Sequence, residues 1–79
     1  MSEAKKVQKQ IERALAFVHA ALDGENALSV AQARANAERV LPRVAAVTPL
    51  SLSEARQLYE YVSQLRAVLR ALDSPSAVN

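Results

Sequence analysis

Apolar residues recur along this chain at intervals of three and four in three separate stretches, and each stretch predicts an amphipathic helix. In the first, Val7, Ile11, Ala14, Leu15, Val18 and Leu22 form the stripe, with Lys5, Lys9, Glu12, Ala16, His19 and Asp23 on the remaining side. The second carries Val30, Ala33, Ala37, Val40, Val44 and Val47 at a/d heptad spacing, and the third repeats that spacing with Ala55, Leu58, Val62, Leu65, Leu69 and Leu72. The single glycine and the three prolines punctuate the pattern. Gly24 stands where a helix ends on a residue of positive φ, and Pro42 falls inside the second stretch, where the missing N–H and the ring clash kink or break the helix near Leu41. The predicted helices cover about residues 3–23, 29–46 and 51–72.

Two of the helix starts share one signal. Leu28-Ser29-Val30-Ala31-Gln32 and Leu50-Ser51-Leu52-Ser53-Glu54 each read as a capping box, in which the serine hydroxyl accepts the N3 amide and the Gln or Glu side chain reaches back to the serine amide. The preceding leucine is placed to staple onto Ala33 or Ala55. The two segments stay alike only as far as Arg34 and Arg56. Convergence on a good helix start therefore accounts for the likeness more simply than an internal duplication.

Short connections turn consecutive helices antiparallel, so the expected architecture is all-α: an antiparallel three-helix bundle with coiled-coil-like seams, one domain over residues 1–73. The tail, residues 74–79, has no periodicity and is expected to be disordered. A chain of 79 residues removes only about 60% of its unfolded surface on folding. Many of its apolar residues are alanines, so a lone core supplies about 3–5 kcal/mol. Self-association as a homodimer is the expected way to add burial.

Composition excludes several classes of chemistry. With no cysteine there is neither a disulfide framework nor a thiolate metal site or nucleophile, and a cytoplasmic setting is expected. No apolar leader and no apolar run near the roughly 20 residues of a membrane span are present. Ala, Arg, Leu and Val dominate while Ile and Asn are sparse, which points to a GC-rich bacterial or phage gene. One Gly and one His offer no glycine-rich phosphate loop and no nucleophile with its base, and the inward helix positions carry no charged group. The expectation is a chain that is no enzyme and takes neither cofactor nor small-molecule substrate. His19 and Asp23 have the i, i+4 spacing of a metal clip with Glu12 on the same face. An exposed histidine near a helix C-terminus explains that spacing without a metal, and no metal site is expected.

Function is therefore expected at a surface. In the antiparallel arrangement the start of helix 1, the end of helix 2 and the start of helix 3 gather at one end. Lys5, Lys6, Lys9, Arg13, Arg39, Arg43 and Arg56, seven of the ten basic residues, would lie there against Glu3, Glu12, Glu38 and Glu54. Lys6, Lys9, Arg13, Arg39, Arg43 and Arg56 form the candidate basic patch for a nucleic acid or an acidic partner, although a formal +2 overall is mild for nucleic acid. A helix-turn-helix would use the second and third helices, with Glu54, Arg56 and Gln57 as base readers. Its turn of about 3 to 4 residues and short recognition helix fit these long helices poorly.

Phe17 lies about 110° from the centre of the first helix's stripe, beside Lys6, Gln10 and Arg13. In the third helix Tyr61 and Val68 flank one side of the seam and Tyr59 and Leu52 the other, an apolar arc of about 200°. Phe17, Tyr59, Tyr61, Val68 and Leu52 are the candidate partner-binding residues. The leading expectation is a protein–protein interaction module, an adaptor, chaperone-like or inhibitory protein. The second is a nucleic-acid-binding regulator using the basic end.

Overall fold

The computed structural model describes residues 2–24 and 29–73, and every regular element among them is helical: α1 (Glu3–Leu22), α2 (Val30–Val40), a 3-10 helix η1 (Leu41–Ala46) and α3 (Leu52–Asp73). The expected tail, residues 74–79, and the stapling residue Leu28 lie outside the described residues. No described helix is long and apolar enough to cross a membrane.

Local chemistry sets each start and stop. The Ser2 hydroxyl accepts the Lys5 amide at 3.1 Å, an N-cap that satisfies one of the orphan donors of the first turn. At the other end Gly24 takes φ 74° and its amide bonds the Ala21 carbonyl. A Cβ there would meet nothing within 4 Å, so the backbone conformation and not the space calls for glycine. The α2 capping box is complete, with Gln32 N–H to Ser29 Oγ at 3.1 Å and Ser29 N–H to Gln32 Oε1 at 3.2 Å.

The α3 box is only half made. The Glu54 amide bonds Ser51 Oγ at 3.1 Å, but Glu54 Oε1 accepts from the Leu50 amide at 3.2 Å rather than from Ser51. The same oxygen also accepts from the Ser2 hydroxyl at 2.9 Å, so the carboxylate serves two helix starts at once. Leu50 stays 79% exposed, and the expected staple onto Ala55 is not formed. Glu54→Ala removes an acceptor from both sites and is expected to cost about 1–2 kcal/mol in a urea melt. Glu54→Gln, which keeps an oxygen in place, should cost less.

Pro42 decides the shape of the second stretch. The Leu41 amide still reaches the Ala37 carbonyl, after which the proline has no amide to give and the chain tightens into η1. Val44 is buried within η1, and Val47 follows in extended conformation, partly buried against the core.

The core is organised around α1, which packs against α2, η1 and α3, while α2 and α3 scarcely meet. This arrangement has a physical reason. α1 buries Ala4, Val7, Ile11, Ala14, Leu15, Val18 and Ala21, a stripe about 120° wide that serves two neighbours. α2 contributes only Ala33, Ala37 and Val40, side chains too short to reach past α1 to α3. α3 sends in Leu58, Val62, Leu65 and Leu69. Leu22 is half exposed and Val30 is 37% exposed. Both were expected in the core, but they stand in terminal turns at its margin. Gln8 is the one polar side chain buried among the described residues; its Nε2 donates to Glu12 Oε2 at 3.0 Å.

Candidate functional site

Three furrows separate the helices, and they differ in chemistry. The furrow between α1 and α3 is crossed by polar links: Ser2 to Glu54, and Lys5 Nζ to Gln57 Oε1 at 3.1 Å. The helices are laced together there by side-chain hydrogen bonds.

The second furrow lies between η1 and α3. Leu41, Pro42, Val44 and Ala45 form one wall and Tyr59 and Arg66 the other, around an open volume of about 390 Å³. It continues beyond Arg66 along Ser63, Leu69, Arg70 and Asp73, with about 450 Å³ more. It exists because the α-helix stops at Val40 and because α2 and α3 each rest on α1 instead of on one another. Leu52, Tyr59, Arg66 and Asp73 follow at seven-residue intervals and so share one face of α3. That face is apolar at the η1 end, where Leu52 is 70% and Tyr59 50% exposed. It is charged at the other, where Arg34 of α2 forms ion pairs with Asp73 and with Glu38.

The third furrow lies between α1 and α2, on the flank of α2 away from α3. Gln10, Arg13 and Phe17 line it from α1, Asn36, Arg39 and Val40 from α2, and Arg43 from η1, around about 210 Å³. Arg43 Nη1 donates to Gln10 Oε1 at 3.0 Å across it. Phe17 is 41% exposed, its ring only partly covered by α2.

The structure thus distributes the candidate residues over separate surfaces. Tyr59 lines the second furrow and Phe17 the third, while Leu52 shares Tyr59's face of α3 without lining the furrow. Tyr61 and Val68 lie on the opposite flank of α3 and are partly buried against the core. Of the basic residues, Arg13, Arg39 and Arg43 converge with Phe17. Lys6 pairs with Glu3 at 3.5 Å, and Lys9 and Arg56 are exposed outside the furrow. Among the described residues no group of three or more His, Asp or Glu side chains is placed to hold a metal ion, so Glu12, His19 and Asp23 do not converge. Sequence reasoning did not anticipate Leu41, Pro42, Ala45 and Arg66 as furrow walls. The one available signal was Pro42, whose break of the helix turns that wall outward. No protein-family model, curated protein or solved structure matches the chain.

Proposed function

We propose that this chain is a small helix-docking module, an antiparallel three-helix bundle whose α2–α3 furrow takes an amphipathic helix of a partner protein. The antiparallel reading draws support from the links Ser2–Glu54 and Lys5–Gln57, which join the starts of α1 and α3, and from Arg34–Asp73, which joins the start of α2 to the end of α3. Coiled-coil-like seams follow from the heptad spacing in α2 and α3.

One observation carries the binding reading: an open furrow with Leu41, Pro42, Ala45 and Tyr59 at one end and Arg66 and Arg70 at the other. A partner helix with apolar anchors at the η1 end and acidic groups opposite the two arginines complements it. The role is one of occupancy, as in an adaptor, a chaperone-like protein or an inhibitor, and not of catalysis. A cytoplasmic setting goes with the cysteine-free composition. The nucleic-acid reading of the basic end is the weaker one, because Lys6 and Lys5 have partners within the chain and Arg56 stands apart from the arginines of the third furrow.

Panning a displayed library of amphipathic helices against the chain tests the proposal. Recovered helices should bind Tyr59→Asp at least about tenfold more weakly, a loss of about 1.4 kcal/mol or more. Binding should survive Phe17→Asp. Equal binding by Tyr59→Asp would move the site elsewhere. A homodimer through the same stripe is the second reading, favoured by the coiled-coil period of Leu52 and Tyr59. Light scattering across a hundredfold dilution separates the two: a constant mass near 8.6 kDa leaves the furrow free for a partner, and a persistent doubled mass assigns it to a second copy.

A further inference from the structure

The third furrow holds a combination that the docking reading leaves unused. Arg13, Arg39 and Arg43 approach it from three elements, and the ion pairs among the described residues engage Lys6 and Arg34 but none of these three. Among the described residues no carboxylate lines the furrow, and its other polar groups are the amides of Gln10 and Asn36. Between the arginines sit the half-covered ring of Phe17 and the buried side chain of Val40, an apolar floor. The Gln10 amide oxygen holds the Arg43 guanidinium across the opening, so this cation is positioned before any ligand arrives, which lowers the entropy lost on binding.

We infer that this furrow is a binding site for an acidic peptide segment, with an apolar side chain seated on Phe17 and Val40 and flanking carboxylates held by Arg13, Arg39 and Arg43. Guanidinium forks match carboxylates in bidentate geometry, and an aromatic beside arginine is a frequent anchor of protein interfaces. A nucleic-acid strand is disfavoured by the same observations. Three cations converge on about 210 Å³, a space for one apolar side chain and its neighbours. A strand needs a longer cationic track with further stacking rings, and the chain's formal +2 adds little long-range attraction. The site lies on the far flank of α2 from the Tyr59 furrow and stands whether or not that furrow binds a helix.

Fluorescence anisotropy decides the matter with three labelled probes: a short peptide repeating Glu-Glu-Leu, its Gln-Gln-Leu counterpart, and a single-stranded oligothymidylate. The acidic peptide should bind, and the Gln counterpart should bind at least about tenfold more weakly. Binding should fall about tenfold or more in Arg39→Gln/Arg43→Gln and again in Phe17→Ala, while Tyr59→Asp leaves it unchanged. The substituted positions Phe17, Arg39, Arg43 and Tyr59 are all exposed, and unchanged circular dichroism verifies that the variants fold. Failure of the acidic peptide to bind, equal binding of the Gln peptide, indifference to the double arginine variant, or tighter binding of the oligothymidylate would each overturn the inference.

Discussion

Leu65→Ala is expected to cost about 2–5 kcal/mol. Leu65 is fully buried, and among the described residues it is one of four large side chains with essentially no exposed surface, together with Ile11, Leu58 and Val18. It sits in the middle of α3, where the helix meets α1. Truncation removes the transfer energy of the side chain and leaves a cavity that a small core cannot close by collapse. Against a total of about 3–5 kcal/mol for a core of this size, the variant should be largely unfolded at 25 °C. Urea denaturation followed by circular dichroism measures the loss. Leu65→Met, which keeps the volume, should cost less than about 1.5 kcal/mol. A cost below about 1 kcal/mol for the alanine variant would contradict the placement of this side chain.

Ala37→Leu should have the next largest effect, a destabilisation of about 1–3 kcal/mol from overpacking. Ala37 has no exposed surface, Ala33 almost none, and the α1 stripe opposite contributes Ala14 and Ala21, also buried. Small residues allow the two helices to approach closely, and a leucine there forces them apart or into strained rotamers. Ala35→Leu is the control, because Ala35 is exposed on the same helix and the same substitution there should change stability by no more than about 0.5 kcal/mol. A loss confined to Ala37→Leu identifies the alanine contact. Equal effects at both positions would point to helix propensity or solubility.

The sequence was most legible where the controlling interactions are local. The serine N-cap of α2 with its Gln32 partner, the positive φ of Gly24 and the break at Pro42 each depend on a few consecutive residues. The α3 cap was less legible, because Glu54 divides its oxygen between Leu50 and the Ser2 hydroxyl, and Ser2 is distant in the chain. Gln8 shows the same limit from the other side. A glutamine at the edge of an apolar stripe reads as a surface residue, yet it is buried beside α1's own Glu12.

The candidate surfaces follow that division. A helical wheel places Phe17 beside Arg13 and Gln10, since all three lie on one helix. It says nothing of Arg39 and Arg43, which come from across the furrow. The wheel also grades Tyr59 and Tyr61 alike, as flanks of one arc. Packing on α1 separates them, covering part of Tyr61 and leaving Tyr59 open toward η1.

The sequence by itself determined that the described residues are all-helical, that Ser29 with Gln32 starts α2 and Pro42 breaks the second stretch, and most of the stripe that each helix turns inward. Periodicity, capping and backbone sterics act over one or two turns and need no distant partner. Only the tertiary structure decided that α1 is the shared partner, that α2 and α3 stand apart, and that three arginines and Phe17 line one furrow. Those outcomes depend on the sizes of side chains meeting across helices: alanines let α2 settle close against α1 but cannot reach α3, and the open space left between them is a property of the packed whole.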